Sequence, residues 1–286
     1  MKKIAIIASL ICSVVVAQDF NRHEYSVNIG GGVSSFQTRP TLGKNFCNWS
    51  GTVGFGYQFF FHPQWGINSG LNVATCKGGI SINEYARQQT AINTATGSAF
   101  DFFAFSLDYK ESQQITMFTI PLMAQFQHTS IGNAVIYSAL GGKAGIPVSA
   151  KSIRNGHFTT KGYHPNLNVT YEDLPDYGFV TNQPFPGNKT DIRLKTALMA
   201  SVESGAKWLI RETISVYVGV YVDYGLNNAL KKKSTDIENL VVYQSGKPAH
   251  FDFNTAANLY AGKIAPFAGG VILRIAFGNP TSFTYL

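Results

Sequence analysis

Residues Leu194–Tyr224 read LKTALMASVESGAKWLIRETISVYVGVYVDY. From Ile214 the even positions are Ile214, Val216, Val218, Val220, Val222 and Tyr224, and the odd ones are Ser215, Tyr217, Gly219, Tyr221 and Asp223. One face is apolar and largely β-branched; the other carries hydroxyls, a glycine and a carboxylate. That is a period of two, the mark of a strand with two unlike faces. The preceding segment repeats it, with Leu194, Thr196, Leu198, Ala200, Val202, Ala206 and Trp208 against Lys195, Ser201, Glu203, Gly205 and Lys207. Strands of soluble proteins are mostly about 5–6 residues long. A run of about eleven alternating residues matches the length a tilted strand needs to cross a bilayer. The stretch predicts a hairpin of a membrane β-barrel.

The start of the chain agrees. Met1–Ala17 has the pattern of a secretory leader: Lys2 and Lys3, then an apolar run from Ile4 to Val16, then Ala17 before Gln18. Cleavage is expected after Ala17, leaving one domain, residues 18–286. Ile11 before Cys12 does not suit a lipoprotein signal. Hydrophobic residues make up 45% of the chain and charged residues only 14%, where soluble domains carry about 25% charged. Net charge is +7 and falls to +5 without Lys2 and Lys3. In an exported protein this modest basicity suits anionic lipid headgroups or lipopolysaccharide, not nucleic acid.

Along the chain the alternation predicts eight strands: 23–36, 47–61, 65–76, 115–127, 134–148, the two of the opening hairpin, and 259–277. Connections at His62–Gln64, His128–Asn133 and Leu209–Thr213 are short; those after the first, third, fifth and seventh strands are longer, three of them much longer. Short and long connections alternate in up-and-down outer-membrane barrels, with the long loops outside. An even number of strands lets the first pair with the last and removes free edges. Phe59, Phe61, Trp65, Phe126, Trp208 and Phe277 gather at the short-turn ends, where an interfacial girdle would lie.

Three patches carry a family resemblance: Ile120-Pro121-Leu122, Val222-Asp223-Tyr224-Gly225-Leu226, and Gly269–Phe277. On them the chain resembles the outer-membrane β-barrel family of Bacteroidetes-type bacteria, which includes PorT-like proteins and the OmpA-type transmembrane domain. The resemblance implies an all-β, eight-stranded antiparallel barrel in the outer membrane of a Gram-negative bacterium. Many such proteins continue into a peptidoglycan-binding domain; the chain is expected to lack one.

The lumen of an eight-strand barrel is filled by side chains. The inward face is expected to carry a polar cluster of Lys143, Lys195, Glu203, Lys207, Asp223 and Arg274, with Glu203 paired to Lys143, Lys207 or Arg274, because buried charges must pair. Such a cluster reads either as a structural polar core or as a gated ionic plug. Phe100, Phe102, Phe103 and Phe105 lie in a long segment and read either as a partner surface or as strands continued above the membrane. Lys231, Lys232 and Lys233 read as a solvated loop or as a contact for lipopolysaccharide phosphates. Cys47 and Cys76 are an exported pair suited to a disulfide. However, centring the hairpin on Pro63 sets position 47 opposite about 79, and their parities differ. His128-Thr129-Ser130 matches the His-x-Ser pattern of lipid A deacylases, but at a periplasmic turn, away from the outer leaflet. His157 and His164 share a loop with Asp173 and Asp176, without regular metal-ligand spacing.

No catalytic site, metal or cofactor is expected. The role read from the chain is non-enzymatic: structural, or surface contact with an extracellular protein or glycan through the loops. The alternatives are a small porin-like channel or a secretion and assembly accessory barrel.

Overall fold

A computed structural model describes residues 23–38, 40–93, 97–129, 134–211, 213–231, 239–246 and 248–278. The leader, Ser130, Lys232 and Lys233 lie outside them. The strands are β1 (His23–Gln37), β2 (Lys44–His62), β3 (Trp65–Ile82), β4 (Tyr85–Ile92), β5 (Ala99–Ser106), β6 (Tyr109–Thr129), β7 (Ala134–Asn155), β8 (His157–His164), β9 (Val169–Tyr171), β10 (Gln183–Pro184), β11 (Thr190–Asp191), β12 (Ala197–Arg211), β13 (Ile214–Gly225), β14 (Val241–Gln244), β15 (His250–Phe253) and β16 (Ala265–Gly278). Among the described residues a short α-helix, α1, covers Ala256–Leu259, and a single 3-10 turn covers Pro175–Tyr177. Eight strands pair antiparallel in the order β7-β12-β13-β16-β1-β2-β3-β6, and β6 pairs back with β7 to close the ring.

The opening hairpin sets the polarity of the wall. Val202, Val218, Val220, Val222 and Tyr224 are exposed, whereas Ser201, Glu203, Tyr217 and Tyr221 are buried. Apolar side chains outside and polar ones inside is the reverse of a water-soluble domain and fits a wall facing hydrocarbon. Tyr25, Tyr57, Phe61, Trp65, Phe126, Trp208 and Phe277 stand outward and exposed at the short-turn end, with Trp65 and Phe126 in contact at 4.9 Å between centroids. Pro121 sits in β6, and the β3–β6 ladder has a gap at its level, between Ser69↔Leu122 and Asn72↔Thr119. A proline has no N–H to give there.

The ring differs from the sequence expectation at its loop end. Position 259 belongs to α1, not to the last strand, which begins at Ala265. β3, β6 and β7 run well past their expected ends, to Ile82, from Tyr109 and to Asn155. Cys47 and Cys76 are both free. A bulge between Cys47 and Ser50 sets Cys47 opposite Gly78 and Cys76 opposite Ser50. Cys76 is buried in the interior while Cys47 is exposed, so the two cysteines do not make the disulfide that an exported pair could form.

Above the ring the long connections are themselves folded. β4, β5, β8 and β10 make a second sheet, extended by β9, and β14 pairs with β15. Both pack on one apolar core that runs without a break from Cys76, Ile115, Met117 and Met199 in the upper barrel to Phe100, Phe102, Phe158 and Phe179 in the second sheet.

Candidate functional site

Among the described residues, three ion pairs lie in the lumen at successive levels. Near the short-turn end Glu24 accepts from Lys207 Nζ at 2.5 Å and from the Tyr217 hydroxyl at 2.6 Å. Glu203 then accepts from Arg274 Nη2 at 2.6 Å and from the Tyr137 hydroxyl at 2.9 Å. Nearest the loops, Asp223 accepts from Lys143 Nζ at 2.8 and 3.1 Å and from Ser201 Oγ at 2.6 Å. The Arg274 guanidinium lies 5.1 Å from the Tyr217 ring, and Tyr137 meets Tyr217 edge-on. Each charge therefore has an opposite charge and a further hydrogen bond or ring contact, the condition for burying ions at tolerable cost. A cavity of about 50 Å³ lies among Asn28, Asn68, Lys143, Glu203, Asp223 and Arg274. These side chains line it with polar groups, and it exceeds the roughly 10–15 Å³ that one ordered water needs.

The loop end of the barrel is closed differently. The Glu111 carboxylate is fully buried and accepts from the Tyr109 hydroxyl at 2.7 Å, Gln113 Nε2 at 3.1 Å, and the N–H groups of Ala256 and Ala257 at 2.5 and 3.2 Å. The last two are free donors of the first turn of α1. Glu111 thus ties α1 to the barrel mouth, where Ala256 and Ala257 are fully buried.

The second sheet carries a pocket of about 380 Å³ lined by Phe100, His164, Leu167, Tyr171, Tyr177, Phe179 and Tyr243. His164 stacks on Phe100 with centroids 5.0 Å apart, and Phe179 and Tyr243 meet Phe100 edge-on. Burial pushes the Tyr243 phenol up. Leu167 and Tyr177 stand exposed at the rim.

The family profile of the outer membrane protein beta-barrel domain matches residues 16–231. The chain belongs to that family. It is an integral outer-membrane β-barrel protein, and the second sheet lies at the long-loop, outer end of the barrel. Solved structures align with it at low identity. Neisserial surface protein A (NspA) aligns over 89% of this chain and 96% of its own, at 6% identity and a TM-score of 0.34. Ail, the attachment invasion locus protein of Yersinia pestis, aligns over 90% and 98%, at 11% identity and a TM-score of 0.29. OprG from Pseudomonas aeruginosa aligns over 88% and 93%, at 11% identity and a TM-score of 0.30. No curated protein matches the chain in sequence.

The structure brings together Lys143, Glu203, Lys207, Asp223 and Arg274 in the barrel lumen, and Glu203 takes Arg274 out of its three candidate partners. Lys195 is not among them. It precedes the first residue of β12, is exposed, and its N–H bonds to the Ala229 carbonyl. Glu24, missing from the expected cluster, lies two residues before Ser26 on the face that Ser26 and Asn28 share. Extending that alternation one step back exposes it. Phe100 and Phe102 are core residues and do not form an exposed partner surface. Phe103 and Phe105 stack on the opposite face of β5 and stay half-buried. Lys231 is exposed. His128 lies in β6 at the periplasmic end. His157 bonds Asp108 through Nδ1 at 2.9 Å.

Proposed function

We propose that this outer-membrane barrel is a non-conducting, non-enzymatic support for a folded β-structure at the cell surface, which makes contact with an extracellular protein or glycan. The observation that carries the reading is the lumen: three ion pairs and their tyrosines fill it, and an apolar layer of Cys76, Ile115, Met117 and Met199 covers them. A solute path would have to break buried pairs at every level. The aromatic pocket between β5, the β8–β9 region and β14 is the natural contact point. Its volume falls within the roughly 300–1,000 Å³ of small-molecule sites, and its rings suit a flat apolar or sugar-ring face.

The three sequence patches also support kinship with PorT-like barrels. A secretion-accessory role would need a periplasmic contact surface, and the turn at Pro63-Gln64 between β2 and β3 offers little.

The test is single-channel conductance of the refolded chain in a planar bilayer. The expected result is a silent, correctly folded barrel. Stable openings that grow with salt would instead establish a small solute channel, and substituting Glu203 would then alter them.

A further inference from the structure

The outer wall of the barrel has an ordered sequence of rows where β3, β6 and β7 adjoin. Cross-strand register sets Val73, Phe118 and Ile146 side by side, all exposed. The next outward-facing row toward the loops is Thr75, Thr116 and Ser149, and the one after that is Lys77, Gln114 and Lys151. Hydrocarbon-facing, hydroxyl and basic rows thus follow one another over four residues of strand. At about 3.3 Å per residue this is the depth over which a membrane passes from acyl chains to headgroups.

The basic row is a concavity, not a flat wall. A cavity of about 330 Å³ is lined by Lys77, Gln114, Ser149, Lys151 and Lys189. Lys189 joins because β11 pairs with β7, Thr190 opposite Ser152 and Asp191 opposite Lys151, and the same antiparallel register carries Lys189 beside Ile153. The Lys77 ammonium lies 4.0 Å from the ring of Trp49, which is itself exposed on the outer wall. Lys77 and Lys151 are two strand spacings apart, about 10 Å, with the Gln114 amide between them. Asp191 opposes this charge from the β11 side, and the structure shows no ion pair between it and any of the three lysines.

We propose that this cleft binds the phosphorylated headgroup of an outer-leaflet glycolipid, with the acyl chains lying on the Val73–Phe118–Ile146 row below. The location decides between lipid and soluble anion: Lys77, Gln114 and Lys151 stand on the outward face of the barrel wall, two rows beyond the Val73–Phe118–Ile146 row that faces hydrocarbon. The inference rests on the barrel and its orientation, and holds whether or not the lumen conducts.

The test uses the full chain refolded in neutral detergent, with retention of bisphosphorylated lipid A read by native mass spectrometry. Each basic side chain beside an anionic membrane surface is worth about 1 kcal/mol, roughly fivefold in affinity. The triple variant K77Q/K151Q/K189Q is expected to lose about a hundredfold, and K161Q, in the second sheet and paired with Glu172, to bind like the unaltered chain. If the triple variant does not refold, K151Q alone is expected to lose about fivefold. Equal binding of lipid A stripped of its phosphates, or of the lysine variants, would overturn the proposal. Displacement of the lipid by millimolar inorganic phosphate would also overturn it, making the cleft a site for free phosphate.

Discussion

Glu203 shows what a single residue does in this lumen. Its carboxylate holds the Arg274 guanidinium at 2.6 Å, and both side chains are almost fully buried. Removing one partner of such a pair leaves the other charged and unsolvated, a cost of about 3–5 kcal/mol, whereas replacing both by apolar groups is often neutral. Glu203→Ala is therefore expected to lower the urea midpoint of the refolded barrel markedly, and the double substitution E203L/R274L to recover most of it. Equal losses in the two variants would mean that the pair acts by packing alone. The inward parity of Glu203 and Arg274 is plain in the sequence, because alternation assigns faces. Their partnership is not. Pairing depends on cross-strand register, which places Asn28 opposite Arg274 and Tyr221 opposite Glu203, and no local pattern in the chain encodes that offset. Lys195 stays out of the lumen for a related reason: it lies before the first residue of β12, where the strand's parity no longer assigns a face. A face has meaning only where the ladder continues, and the β12–β7 ladder begins at Ala197.

At the scale of the element, the membrane-spanning strands are legible and the strands above them are not. Inside the bilayer the two faces meet opposite solvents, so the chain must alternate. β5 meets no such demand: Phe100, Phe102 and Ala104 point into the core, yet Phe103 and Phe105 also lie half-buried on the other face. With both faces apolar, the period-two signal disappears and the segment reads as an aromatic patch. The joint between β6 and β8 is likewise a matter of tertiary contact. Gly156 has φ +111, and just beyond it the Asp108 carboxylate accepts from the His157 backbone N–H at 2.7 Å and meets its ring Nδ1 at 2.9 Å. These hydrogen bonds, the ring's first, hold the Asp108 carboxyl below its ordinary value of 3.8. A depressed carboxyl contributes stability above its unfolded pKa and loses it as pH falls through the lower folded value. Asp108→Asn is thus expected to speed amide exchange at the Asp108–His157 joint at neutral pH, and to change nothing once pH is well below 3.8. A difference that persists in acid would show that the clamp does not depend on the charge. Both side chains are about half exposed, so the effect is local and small.

For the whole molecule, the decisive feature is that barrel and surface sheet share one core. Met117 and Met199 in the upper lumen belong to the same buried cluster as Phe102, which is only 1% exposed in β5. Two bodies joined by a flexible linker would melt separately; bodies joined by packed side chains transmit the loss of either to the other. Truncating a buried phenylalanine costs about 3–5 kcal/mol. Phe102→Ala lies outside the membrane and touches no lipid, yet it is expected to lower the temperature at which the barrel itself unfolds. Two observables report on the barrel alone. One is heat-modifiable migration on a gel. The other is tryptophan fluorescence, because all three tryptophans of the chain, Trp49, Trp65 and Trp208, stand on the barrel's outer wall. In the variant both are expected to shift downward together in a single transition. If the surface sheet melts first, with gel mobility and fluorescence unchanged, then the shared core does not couple the two sheets. The surface structure would then be free to rearrange on a partner without cost to the barrel. A joint shift instead means that the contact surface is as rigid as the membrane wall beneath it, and that recognition at the aromatic pocket proceeds on a preformed site.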